Sequence, residues 1–107
     1  MTENQQNELL ESGEGKQATR YNYGKPEFSY VDLNCLTECA KGLQYGAMKY
    51  ERDNWKLGMP QNSILDSLMR HIAAIQRGEE IDPESGVSHI GHIQCNAMFL
   101  GNPNNTK

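Results

Sequence analysis

Hydrophobic positions along the chain fall into three blocks with helical spacing, divided by polar and glycine-containing stretches. In the first block Leu33, Leu36, Ala40, Leu43 and Ala47 recur every three to four residues. That spacing predicts a helix opened by Val31 and Asp32 and closing near Tyr50. Gly42 and Gly46 lie inside it, each costing about 1 kcal/mol relative to alanine, so they mark a close approach or a bend. The second block, Ile64, Leu65, Leu68, Ile72 and Ile75, forms an amphipathic stripe ending at Gly78. Ser63, three residues before Asp66, predicts its capped start. The third block predicts a helix over residues 87–100, with Ile90, Ile93, Ala97 and Leu100 on one side. Residues 51–60 read as a loop closed by Gly58 and Pro60, and residues 79–86 as an acidic loop. Tyr21 to Tyr30 alternates aromatic with small and polar residues, which suits a short extended arm or one hairpin strand, and Pro26 keeps it out of a sheet interior. The expected fold class is all-α, a small bundle of about three main helices behind an extended N-terminal arm.

The two ends dilute the apolar content. Residues 1–20 offer Leu9 and Leu10 among glutamates, glutamines and asparagines, too little apolar surface to offset the entropy of ordering, so they are expected to form a disordered tail. Residues 102–107 are expected to be a second, shorter one. The remaining residues, 21–101, are expected to fold as a single helical domain. Over the whole chain of 107 residues, 36% are hydrophobic, roughly 45% with the 10 glycines counted, at the low edge of the globular range. A domain this small buries only about 60% of its unfolded surface, so association with further copies is the expected remedy.

Charge and cysteine usage narrow the function classes. A net charge of −4 argues against a nucleic-acid coat or a polybasic membrane anchor. No run approaches the length of a membrane span, and Met1 to Gln6 lack the features of a signal peptide. The 3 cysteines are an odd number without Cys-x-x-Cys spacing, which disfavours a disulfide scaffold or zinc ribbon and suits a reducing cytosol. Cys35 and Cys39 read as small core residues of the first helix, and Cys95 as one of the third.

Two constellations could carry chemistry. On the third helix His89, His92 and Asn96 share one face among apolar neighbours, so they must meet polar partners or a ligand. Inter-helix hydrogen bonding is one reading; imidazoles that bind a metal or donate to phosphate are the other. His-x-x-His alone is weak evidence for a metal. On the second helix Arg70 and His71 adjoin Asp66, and Asp66 is spaced to pair with Arg70. Asp82 and Glu84 in the acidic loop add carboxylates suited to Mg2+ or Mn2+, whereas Glu79 and Glu80 read as a solvated turn. The second constellation spans residues 45–58. Lys49, Arg52 and Lys56 could reach phosphates, Trp55 or Tyr50 could stack on a base, and the Asn54 amide could read a base edge. The competing reading is a helix end that packs its aromatics into the core.

The order of motifs then resembles a known family. Tyr-x-x-Gly-Lys-Pro (21–26), Tyr-Gly-Ala-Met-Lys-Tyr (45–50), Arg-Asp-Asn-Trp-x-x-Gly (52–58), Leu-Met-Arg-His (68–71), Gly-Glu-x-x-Asp-Pro-Glu-Ser-Gly (78–86) and the His-x-x-His with Asn96 are similar to the phage dATP/dGTP diphosphohydrolase N-terminal domain family. The resemblance implies a phage-encoded protein of the host cytoplasm that handles purine nucleotides. It implies splitting of a (d)NTP into monophosphate and pyrophosphate with a divalent cation, by analogy with oligomeric, all-α MazG-like pyrophosphohydrolases. Under it Lys49, Arg52 and Arg70 would hold phosphates, Trp55 or Tyr50 would stack the base, and Asp82 and Glu84 would hold the cation. His71, His89 and His92 would orient phosphate or a water, with Asp82, Glu84 and His89 the expected catalytic set. The MazG-like pattern of Glu-x-x-Glu followed by Glu-x-x-Asp is absent, because Glu38 lacks an acidic partner one turn on and Glu79-x-x-Asp82 lies in the loop. A nucleotide-binding protein without turnover, sequestering a host nucleotide signal, needs the same cationic and aromatic set but no carboxylate cage. An interaction protein whose polar stripe is only an interface needs neither. No membrane or nucleic-acid polymer is an expected partner. A homo-oligomer is, with the site at or near a subunit interface.

Overall fold

The structure, a computed structural model, describes residues 16–107. Most of the expected N-terminal tail, residues 1–15, lies outside the described residues. The chain divides into two units, Met1–Val31 and Asp32–Lys107, against expected bounds of 21–101 for one domain. In the first unit, a turn closes where Lys25 N–H donates to Asn22 O at 3.0 Å, with Gly24 at φ 77°. A single 3-10 turn, Phe28–Tyr30, follows. Tyr21, Tyr23, Phe28 and Tyr30 are exposed.

The second unit is all helical, with no strand among the described residues. Asp32 accepts from Asn34 N–H at 2.9 Å and so caps a 3-10 turn, Leu33–Leu36, which runs into helix α1, Thr37–Lys49. Helix α2 spans Gln61–Gln76 and helix α3 His89–Leu100. The 51–60 loop carries its own 3-10 turn, Asn54–Leu57, entered through Asp53 in the left-handed region at φ 65°.

Helix α3 is the axis of the unit. It packs along both α1 and α2, whereas α1 and α2 share little direct contact. The α1/α3 seam is made of small residues. A Cβ on Gly91 would collide with the backbone carbonyl of Glu38, and one on Gly42 would sit 2.8 Å from Cys95 Sγ. Gly91 and Gly42 therefore let the helices approach closely, which is the first of the two alternatives open for Gly42, whereas a Cβ on Gly46 would meet nothing within 4 Å. Cys39 and Cys95 are buried here with their sulfurs 3.7 Å apart, and Cys95 Sγ donates to Cys39 O at 3.2 Å. Burial and the neighbouring Cys39 push the Cys95 thiol up to about 12, so it stays protonated at neutral pH.

Helix ends differ from expectation where tertiary contacts replace local ones. Helix α2 begins at Gln61, two residues before the Ser63 start, and Pro60 offers no side-chain cap. Gln61 N–H instead donates to Thr106 O at 2.7 Å. That bond comes from residues 102–107, which are not a loose tail. Asn102 Nδ2 donates to the carbonyls of Trp55 and Lys56, Asn105 Oδ1 accepts from Met59 N–H, and Thr106 bridges to Pro60. Gly58, at φ 95°, leaves no room for a Cβ beside the Asn104 carbonyl. The other α2 end behaves as read: Glu79 N–H donates to Ala74 O and Gly78 N–H to Ile75 O, a Schellman closure with Gly78 at φ 86°.

Candidate functional site

A cleft of about 1090 Å³ opens between α1 and α2 over α3. All twelve of the expected site residues line it: Lys49, Tyr50, Arg52, Asn54, Trp55, Arg70, His71, Asp82, Glu84, His89, His92 and Asn96. So do Tyr45 and Gly46 of the second constellation, and Ser67, Arg77 and Glu79, which no sequence pattern marks as site residues.

The histidines form one cluster because α2 and α3 face each other with these residues in register. His71 stacks on His92 with ring centroids 4.6 Å apart and planes 12° apart. His71 Nδ1 lies 2.8 Å from His89 Nδ1, and His89 Nε2 lies 2.8 Å from Glu79 Oε1. Glu79, read from sequence as part of a solvated turn, thus reaches a buried imidazole. The loop is pinched so that this can happen: Asp82 N–H donates to Val87 O and His89 N–H to Glu80 O, both at 2.9 Å, and Gly86 turns the chain at φ 73°. Ser88 then caps α3, accepting from Gly91 N–H at 3.2 Å.

Burial holds the His71 imidazole below its ordinary value, with His92 and His89 adding to the effect. Burial lowers His92 too, and Asp82 only partly opposes it. Both rings are therefore neutral at pH 7. The His92–Asp82 approach of 3.4 Å is consequently a contact of a neutral ring with a carboxylate. Ser85 links them, 2.9 Å from Asp82 Oδ2 and 2.7 Å from His92 Nε2. Its single hydroxyl hydrogen goes to the carboxylate, and His92 Nε2–H with Val87 N–H donates to its oxygen. Burial would raise Asp82, but the bonds from Ser85 and Glu84 N–H, with His92 nearby, hold it below the usual carboxylate range. Asn96 follows the inter-helix reading, donating to Ser67 Oγ at 3.2 Å and His92 O at 2.9 Å.

On the other wall the cationic side chains divide. Lys49 lies 3.2 Å from Glu84 Oε1, an exposed pair that raises the lysine by hydrogen bond and charge. Lys56 pairs with Asp53 at 3.4 Å. Arg52, Arg70 and Arg77 make no ion pair among the described residues, and the Asp66–Arg70 pair expected from spacing is not formed. Trp55 stacks on Phe99 at 5.3 Å, so one of its faces joins the core packing.

The carboxylates bear on any resident cation. Asp82 Oδ1 accepts from Glu84 N–H and Oδ2 from Ser85, while Glu84 Oε1 is shared by Lys49 and Tyr45. Among the described residues no group of three or more His, Cys, Asp or Glu side chains is arranged to hold a metal. Asp82 and Glu84 thus serve the loop and the α1 wall, and do not fit a protein-built Mg2+ or Mn2+ cage.

Residues 15–106 match the family described as dATP/dGTP diphosphohydrolase, N-terminal. The chain belongs to that family. It is 31% identical over 81 residues to a protein of Salmonella phage PMBT28 named dATP/dGTP diphosphohydrolase. That alignment covers 76% of this chain and 28% of the relative, so the chain spans less than a third of that family member's length. No solved structure matches. No helix among the described residues is long and apolar enough to cross a membrane.

Proposed function

We propose that the cleft binds a purine (deoxy)nucleoside triphosphate and splits it into the monophosphate and pyrophosphate. One observation carries this reading: a single cleft gathers arginines without an ion pair among the described residues, an aromatic platform and three hydrogen-bonded histidines, and its size suits a nucleotide. Arg52, Arg70 and Arg77 hold the phosphates, since a guanidinium binds phosphate oxygens in pairs. Lys49 joins them only by giving up Glu84. The exposed Tyr50, or Trp55 with Phe99 stacked on its ring and the Lys56 ammonium 5.8 Å from its centroid, stacks the base, with the Asn54 amide at its edge. The divalent cation, Mg2+ or Mn2+, arrives chelated by the polyphosphate, because the chain's own carboxylates are engaged. Further copies of the chain cover apolar side chains left exposed on α2, Met69 and Ile72, and complete a homo-oligomer in the host cytoplasm. The name of the phage relative, dATP/dGTP diphosphohydrolase, supports the substrate class.

A second reading, nucleotide sequestration without turnover, is favoured by the same engaged carboxylates. Incubation with dATP, dGTP, ATP, GTP and cyclic nucleotides, with and without Mg2+ or Mn2+, separates the two. Pyrophosphate release is the expected result. A ligand held and recovered intact on denaturation refutes hydrolysis in favour of sequestration, and binding of none refutes both.

A further inference from the structure

We propose that His71 Nε2 is the base that takes a proton from the attacking water, and that Glu79 and His89 are positioning residues that hold His71 in the tautomer this requires. This inference rests on the hydrolytic reading above. It follows from hydrogen-bond roles. A carboxylate can only accept, so at 2.8 Å from Glu79 Oε1 the hydrogen belongs to His89 Nε2. An imidazole with its one hydrogen on Nε2 carries a bare lone pair on Nδ1. His71 Nδ1, 2.8 Å from that lone pair, must be the donor. The lone pair of neutral His71 is left on Nε2, which has no hydrogen-bond partner among the described residues and belongs to a ring lining the cleft.

The rest of the surroundings keep the ring ready. The stack on His92 stops it from turning over. His89 and His92 on α3, Arg70 on its own helix and Asp82 in the loop are the charged or titratable groups facing it. The first three oppose a charge on His71 and Asp82 favours one; with burial the balance leaves the ring neutral at rest, as a base must be. His89 is 4% exposed and Glu79 43%, so the chain of bonds runs from the cleft through a buried imidazole to a carboxylate in reach of water. In the reaction, Nε2 takes a water proton as the water oxygen bonds to the α-phosphorus. The bridging α–β P–O bond breaks, pyrophosphate leaves with the electron pair, and the His71 imidazolium returns its proton to it. While the charge exists, Nδ1–H donates to His89, which donates to the Glu79 carboxylate, the arrangement that stabilises an imidazolium. His89, expected to be catalytic itself, acts here through His71.

Two measurements on the full chain test this. Long-range proton–nitrogen NMR of the wild type should find His71 as the Nδ1–H tautomer, and Nε2–H there overturns the proposal whatever the turnover. The kcat of pyrophosphate release against pH should rise with deprotonation of the base. Glu79→Gln removes the negative charge that favours imidazolium, so the acid limb should move to lower pH. The plateau should drop about tenfold with KM unchanged, and His71→Gln should lower kcat by about a hundredfold or more while binding persists. Pyrophosphate release with a Glu79→Gln profile like that of wild type overturns this inference and spares the hydrolytic reading. Binding without release in the wild type defeats the hydrolytic reading and the base role together.

Discussion

Helix α3 meets α1 and α2 through opposite materials. Toward α1 it presents Gly91 and Cys95 to Gly42 and Cys39, with backbone almost touching backbone. Toward α2 it presents His89, His92 and Asn96 to His71 and Ser67, joined by hydrogen bonds and ring stacking. The first seam is closed by small residues and edged by Gln94, whose Nε2 donates to Cys35 O at 2.9 Å, and the second sets its polar network beside the buried Ile64 and Ala74 of α2. Each buried polar group left without a partner would cost roughly 1–3 kcal/mol, so the second seam is stable only while its network is complete. The tight seam fixes where α3 lies, and the polar, or wet, seam uses that placement to aim side chains into the cleft.

Breaking the tight seam should have the largest effect. Gly91→Ala drives a Cβ into the Glu38 carbonyl, and backbone cannot yield as a side chain can, so a loss of about 3 kcal/mol is expected in denaturant melts. Trp55→Ala tests the cleft wall: nucleotide affinity should fall about tenfold to a hundredfold, roughly 1–3 kcal/mol by titration calorimetry. Gly46→Ala is the contrast to Gly91, on a helix turn where a Cβ meets nothing within 4 Å. It should raise stability by up to about 1 kcal/mol through helix propensity while weakening nucleotide binding by narrowing the cleft.

Acid should open the wet seam before the tight one. His71 and His92 have folded values below the unfolded 6.5, so the unfolded chain binds more protons in that interval. Their contribution is full above pH 6.5 and is lost as pH falls through the folded values; Asp82, also lowered, extends the loss below 3.8. Replacing both histidines by Gln should flatten stability just below pH 6.5, and an unchanged slope in melts across that range would refute the assignment. Smallest of all, Asp66→Ala should change stability by less than about 0.5 kcal/mol, since the residue makes no ion pair among the described residues.

The three helices were legible because apolar residues recur at helical spacing, and the close approach at Gly42 because glycine inside a helix needs a reason. What escaped the sequence reading depends on partners far along the chain. The α2 start at Gln61 is supported by Thr106, 45 residues away by numbering, and local capping rules see only the Ser63–Asp66 pattern. The asparagines of residues 102–107 look like solvent-loving tail residues, yet their amides serve the carbonyls of Trp55, Lys56 and Phe99. Glu79 was unreadable for a similar reason: only the pinch between Ile81 and Ser88 brings it to His89. The pair legible by spacing, Asp66 with Arg70, is not formed, because an exposed i, i+4 pair is worth only a few tenths of a kcal/mol.

That α1 and α2 are joined mainly through α3 has a consequence for how the protein responds to its ligand. The helices make two sides of a triangle, and a nucleotide held by Tyr50 on one side and Arg70 on the other would be the third. Ligand then contributes more than its share of mass action, about 2.7 kcal/mol at a hundredfold excess over Kd. It also couples two helices that share little direct contact. Hydrogen exchange in α1 and α2 should slow together on saturation, turning two local openings into one cooperative event.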